Sequence, residues 1–198
     1  QSGLIDRTDV SHYRLSVHLT LAFIILACLF WGYLCFINKD NLLLLKKIPL
    51  SLITFFLILI FIQISIGALV SGLDAGKIYQ SWPLMNGNYF PNDSNIIDVI
   101  NLKFFEIPSL VQFLHRNLAY IIFIFFIIIL YIIFKNDELY YLKKYAIIVF
   151  SFLLLQIILG ILTIIHGAPI ILSSFHQVGS IFLVISTLVL IFKSSKTN

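Results

Sequence analysis

Residues 109–134 read Ser-Leu-Val-Gln-Phe-Leu-His-Arg-Asn-Leu-Ala-Tyr-Ile-Ile-Phe-Ile-Phe-Phe-Ile-Ile-Ile-Leu-Tyr-Ile-Ile-Phe. The polar residues stand at the head of this stretch; from Ile121 onward it carries no charge, no glycine and no proline. As an α-helix it would be ~39 Å long, enough to cross the roughly 30 Å hydrocarbon core of a bilayer. In lipid the backbone must satisfy its own polar groups, and a single segment does so only as a helix. Outward from this block, four more of the same kind appear, at about 15–37, 48–70, 145–165 and 170–192. The predicted fold class is therefore all-α, a polytopic membrane helical bundle of five transmembrane helices. Composition agrees. The chain is 60% hydrophobic and 11% charged with mean hydropathy +1.03, where a soluble domain carries about a quarter charged residues.

The charges set an orientation. Lys39, Lys46, Lys47, Lys135, Lys143, Lys144, Lys193 and Lys196 fall on one side with only Asp40, Asp137 and Glu138 against them. The other side carries Arg7, Arg14, Lys77, Lys103 and Arg116 against six acids. The positive-inside rule then puts the chain's N-terminus outside and its C-terminus in the cytoplasm, or in the matrix of a mitochondrion. The net charge of +4 thus reports topology and calls for no nucleic-acid partner. Cys28 and Cys35 both lie within the first span, where a structural disulfide is not expected, and no Cys-x-x-Cys-His for covalent haem occurs. Gln1-Ser-Gly-Leu-Ile-Asp-Arg reads as the middle of a loop rather than a signal peptide, so the chain is expected to be a fragment of a longer protein.

The outer segment 71–108 is long, polar and rich in Gly, Pro, Asn and Asp. Loops of that size are usually functional or disordered. Tyr79, Trp82, Tyr89 and Phe90 favour an ordered cap, with an aromatic interfacial belt as the plainer alternative. A weak internal repeat runs through the spans. Gln63-Ile-Ser-Ile-Gly67 in span two matches Gln156-Ile-Ile-Leu-Gly160 in span four, and each is followed by a span that opens with a histidine. Gln and Gly four apart share a helix face, where Gly permits close approach and Gln supplies a hydrogen bond.

The five histidines are His12, His18, His115, His166 and His176. His18, His115 and His176 open the odd-numbered spans, each followed four residues on by Ala22, Ala119 or Ser180. Those spans run in one direction, so the three imidazoles share a depth just below the outer interface. Ionisable groups in a membrane are costly and usually face the bundle interior with a function. Haem iron takes axial imidazoles from facing helices, small residues one turn away leave room for a macrocycle, and Arg116 and Arg14 suit its propionates. Proton relay and satisfied polar contacts remain rival readings for the histidines, as snorkelling does for the arginines. His12 is expected in a loop, and His166 at a polar helix exit.

The string Gly72-Leu73-Asp74-Ala75-Gly76-Lys77-Ile78-Tyr79-Gln80-Ser81-Trp82-Pro83-Leu84-Met85-Asn86-Gly87 closely resembles the haem A synthase signature. Gln112-Phe113-Leu114-His115-Arg116, the small residues before His176-Gln177, and Tyr13-Arg14-Leu15 leading to His18 also look like that family. The resemblance implies eight spans in two pseudo-symmetric halves, this chain supplying the last span of the first half and the whole second half. Residues 1–47 would then hold the outer segment, the fourth family span and an inner loop. Residues 48–198 would form a C-terminal four-helix haem b domain with the outer loop 71–108. It further implies haem b as cofactor on His115 and His176, a substrate haem ligated by His18 near Arg14, and oxidation of a ring methyl of haem O to the formyl group of haem A. Implied partners are haem O, the remaining N-terminal half and the lipid bilayer, with a homo-oligomer as a further option, in a bacterial or mitochondrial inner membrane. The family's Glu-x-x-x-His and the outer-loop cysteine pair of some members do not occur here, so no catalytic residue is assigned to this chain. A non-catalytic bis-histidine b-type cytochrome is the alternative, and a transporter with histidine proton relays a third.

Overall fold

A computed structural model describes residues 11–37, 49–101 and 103–195. Gln1, on which the fragment expectation rests, and Arg7, Lys39, Asp40, Lys46, Lys47 and Lys196 of the orientation count lie outside the described residues. The helices are α1 (His12–Ile37), α2 (Pro49–Gly72), α3 (Ile96–Ile100), α4 (Pro108–Lys135), α5 (Lys143–Ile165) and α6 (Ile170–Ser194). Short 3-10 turns occupy Ala75–Lys77, Lys103–Phe105 and Asp137–Leu142. Among the described residues five helices, all but α3, are long and apolar enough to cross a membrane. The protein is a polytopic helical bundle, as its hydropathy predicts. One boundary differs in substance: α1 begins at His12, so this histidine is helical rather than in a loop.

Local chemistry sets the ends. Pro108 opens α4, where its missing N–H costs nothing. At the far end the Asn136 side chain accepts from the Glu138 N–H at 3.0 Å and starts the next turn. α5 closes through Gly167 and Ala168, both left-handed (φ 74° and 57°), before Pro169 leads into α6. The Ala168 N–H returns to the Thr163 carbonyl at 2.7 Å. The result is a tight antiparallel hairpin of α5 and α6.

α2 packs against α1, α4 and α6, and α5 packs against α4 and α6, so α2, α4, α5 and α6 close a ring. α1 lies against α2 and α6. The core holds Ile53, Phe56, Phe126, Ile129, Ile133, Val149, Val184 and Leu190, with Phe56 and Phe126 at 4.6 Å between ring centres. Many equally apolar residues, such as Ile121, Ile124 and Ile128, face outward, as expected where lipid replaces water. In lipid, apolar area between helices gains little, so close packing and hydrogen bonds hold them together. The α1–α2 seam shows this. Ser16 donates to the Ser65 carbonyl at 2.8 Å, and the Thr20 and Ser65 hydroxyls meet at 2.7 Å. The heads of α1, α4 and α6 and the tails of α2 and α5 share one end with the long loop, called here the loop end.

Candidate functional site

At the loop end, the second turn of α4 carries His115 and the second turn of α6 carries His176. Their ring centres are 6.5 Å apart and their planes cross at 78°. One metal bound to two imidazole nitrogens at about 2 Å each would hold the ring centres a little over ~6 Å apart. The observed separation fits that demand. His115 Nδ1 is buried and has no hydrogen-bond partner. Among the described residues no group of three or more His, Cys, Asp and Glu side chains is placed to hold an ion. A two-histidine set instead suits an iron whose remaining ligands come from a macrocycle.

The repeat noted in the sequence takes physical form here. An ideal Cβ on Gly67 of α2 would lie 3.0 Å from His115 Cε1; one on Gly160 of α5 would lie 3.2 Å from His176 Cε1. Each imidazole is therefore seated on a glycine of the preceding long helix. One turn earlier on that helix stands the glutamine. The Gln63 amide donates to the His115 carbonyl oxygen at 3.0 Å and reaches His115 Nε2 at 3.3 Å. With its amide turned so that nitrogen meets acceptor and oxygen meets donor, Gln156 donates to the His176 carbonyl oxygen at 2.9 Å and accepts from the Ser180 N–H at 3.2 Å.

A polar face of α4 ties the loop down beside the pair. Arg116, buried, donates from Nη1 to the Ser81 carbonyl and from Nη2 to the Tyr79 carbonyl, both at 2.8 Å. Gln112, one turn before, adds a bond to the Tyr79 carbonyl at 2.9 Å. Trp82 donates to the Tyr120 hydroxyl at 3.1 Å, and the Tyr89 hydroxyl donates to Asn117. Within the loop, the Lys77–Asp74 ion pair at 2.7 Å brackets the Ala75–Lys77 turn, and Asn86-Gly87 forms a tight turn closed by the Met85–Asn88 bridge. The buried Tyr79 hydroxyl donates to Asp93 at 3.0 Å and accepts from the Asn92 N–H at 3.1 Å. Burial, and then Asp93, raise its pKa above the ordinary tyrosine value. The loop is thus an ordered structure.

The other expected site residues stand apart. His18 and Arg14 are exposed on α1, whereas the paired rings are those of His115 and His176. His166 turns its Nδ1 to the Leu162 carbonyl of its own helix at 2.9 Å and is exposed. His12 packs at the loop end of α2, where a Cβ on Gly72 would lie 2.7 Å from its own Cβ. The role of Gln112 was not anticipated. Its signal was present: Gln112 and Arg116, four apart, form a polar face at the head of an otherwise apolar span.

Comparison with known proteins adds an independent line. A family model described as COX15-CtaA, cytochrome oxidase assembly protein, matches residues 1–188. The chain is 46% identical over 198 residues to a haem A synthase of Pelagibacter ubique, covering 98% of this chain and 56% of that protein. It is 37% identical to a haem A synthase of Roseobacter denitrificans, covering 86% of this chain and 46% of the relative. With one from Rickettsia felis the identity is 36%, over 92% of this chain and 55% of the relative. The chain thus spans about half the length of the curated relatives it matches. No solved structure matches it. Five apolar helices long enough to span a bilayer, the loop-end string and a model match over nearly the full length converge: the chain is a multi-pass membrane protein that belongs to the COX15-CtaA family, that of the haem A synthases.

Proposed function

We propose that His115 and His176 are the two axial ligands of a haem b, and that the chain is part of a membrane haem A synthase that oxidises a ring methyl of haem O to a formyl group. The observation that carries the first half is the 6.5 Å separation of two imidazoles held by helices α4 and α6. The second half rests on the relatives, which are haem A synthases. When bound between two histidines, a haem supplies one-electron transfer rather than oxygen binding, because both axial positions are filled. The protein's part is to hold the two imidazoles at the required spacing and to cover them with the loop through Arg116 and Gln112. In this reading Arg116 would also serve a haem propionate. Residues 48–198 form the haem b unit, while His18 and Arg14, in the 1–47 segment, address the substrate haem together with an N-terminal half supplied by a longer protein.

The test is spectroscopic. The chain, purified in detergent and loaded with haemin, is expected to show a low-spin six-coordinate Soret spectrum with one haem per chain. His115→Ala and His176→Ala should each lose it, while His18→Ala and His166→Ala should keep it. Loss in the His166 variant with retention in the His176 variant would move the second ligand to α5. A full complement of haem without any conversion of haem O, after the chain is joined to a complete N-terminal half, would favour the non-catalytic b-type cytochrome.

A further inference from the structure

We infer that Gly67 and Gly160, each with the glutamine one turn before it, form two matching seats that orient the His115 and His176 imidazoles. This rests on the haem reading above and deepens it, assigning the positioning to residues on α2 and α5 rather than to the ligand-bearing helices themselves.

Three observations converge on the seats. First, the two glycines meet their histidines in the same way. At Gly67 an ideal Cβ would lie 3.0, 3.6 and 3.8 Å from His115 Cε1, Nδ1 and Nε2; at Gly160 the corresponding distances to His176 are 3.2, 3.7 and 3.8 Å. Six ring distances that agree within 0.2 Å between the two spans of the internal repeat indicate one device used twice. Second, Gln63 and Gln156 both donate to the backbone carbonyl of the seated histidine, at 3.0 and 2.9 Å. That bond fixes the register of α4 on α2 and of α6 on α5, so the glutamine places the histidine and the glycine then sets the ring against the helix. Third, the two seats differ in a way that explains a glycine elsewhere. A Cβ on Gly179 would run into the Gln156 amide. Gly179 therefore opens the space in α6 through which Gln156 reaches the His176 carbonyl and the Ser180 N–H.

A methyl group at either seat forces its imidazole to shift by a few tenths of an ångström, because contacts near 3.0 Å are tighter than carbon packing tolerates. The 78° crossing of the planes and the 6.5 Å spacing both depend on where the rings rest. The ligand geometry, not only stability, should respond.

The experiment compares four glycine variants of the full chain. Gly67→Ala and Gly160→Ala disturb the seats. Gly72→Ala, on α2 as well, meets His12 at 2.7 Å and controls for packing damage without touching the pair; Gly32→Ala faces open space. After loading with haemin, low-temperature electron paramagnetic resonance reads the angle between the imidazole planes. The unaltered chain and the Gly32 and Gly72 variants should give the same strongly anisotropic low-spin signal, as crossed planes do. The two seat variants should move toward a rhombic signal or become five-coordinate, with haem affinity down by roughly tenfold. Should a seat variant fail to fold, Gln63→Leu and Gln156→Leu remove the carbonyl bond without adding bulk and should shift the same signal. Seat variants that keep the parent signal, or a Gly72 variant that changes it equally, would overturn the inference. If the unaltered chain takes up no low-spin haem, the haem reading has failed separately. Modification of His115 and His176 by diethyl pyrocarbonate in the haem-free chain then decides the seats: about tenfold faster reaction in the seat variants supports them, and unchanged rates reject them.

Discussion

Arg116 follows a proposed iron ligand by one residue, yet its guanidinium is committed to main chain. Two of its nitrogens hold the Ser81 and Tyr79 carbonyls at 2.8 Å, while Nε is buried without a partner. A planar fork with donors in fixed directions can hold two carbonyls two residues apart, and a lysine ammonium at the end of a flexible stem cannot reproduce that. Arg116→Met should therefore release the loop. Hydrogen bonds to charged groups contribute roughly 1.5–3 kcal/mol each, and Gln112 still holds Tyr79, so a net loss of about 3 kcal/mol is expected. At about tenfold per 1.4 kcal/mol, amide exchange over residues 79–86 should rise on the order of a hundredfold, with Arg116→Lys recovering only part of the protection. Exchange unchanged in the Met variant would show that the aromatic contacts alone hold the loop. The sequence marked Arg116 as a group for a propionate because its neighbour is a histidine. What it did not display was the loop backbone arriving from 35 residues upstream, a non-local contact that no spacing along α4 encodes.

At the scale of elements, the long spans were legible because a bilayer imposes length and hydropathy directly on the chain. The expected 109–134 span is observed as Pro108–Lys135, and 145–165 as Lys143–Ile165. The Gln-x-x-x-Gly repeat was legible for a similar reason: a face four residues apart survives any rotation of the helix. That α2 seats His115 and α5 seats His176 is a property of helix pairing and needed coordinates. The loop lies between these cases. Its turn residues and aromatic rings announced order, and the structure supplies the centre, Tyr79 buried against Asp93 and Asn92. Tyr79 lies outside the spans, and its pKa in the folded loop is raised by burial and then by the neighbouring carboxylate. A raised folded value means that the neutral hydroxyl is favoured by folding. Its contribution is complete below the ordinary value of about 10 and is lost as pH rises through the higher folded value. Protease protection of residues 72–90 should accordingly hold through neutral pH and fall only above about 10. In Tyr79→Phe that alkaline step should vanish, with faster cleavage already at neutral pH. A step of the same size in the Phe variant would show that Tyr79 is not its source.

For the whole molecule the open quantity is direction. The ring of α2, α4, α5 and α6 and the accompanying α1 would look the same inserted either way, since apolar faces carry no sense of inside and outside. The charges do. Lys135, Lys143, Lys144 and Lys193 gather at the end opposite the loop, and several lie over aromatic rings: Lys143 over Tyr140 at 5.1 Å, Lys144 over Tyr145 at 4.8 Å and Lys193 over the same Tyr145 at 5.9 Å. Ammonium groups above tyrosine rings at the ends of apolar helices suit the headgroup zone, where the ring faces attract cations and the stems stay in lipid. The loop end has its own interfacial rings, Trp82 and Tyr89, but a charge balance near neutral. Lysine-rich short connections are retained on the cytoplasmic side; by that rule we predict that His115, His176 and the loop lie at the outer face of the membrane. Single-cysteine labelling tests this, after Cys28 and Cys35 of α1 are replaced by alanine. Asn88→Cys, at the exposed tip of the loop, should react with a membrane-impermeant maleimide in intact spheroplasts. Tyr140→Cys, 73% exposed between α4 and α5, should react only once the membrane is opened. The opposite pattern would invert the protein. It would also put the proposed haem pair on the cytoplasmic side.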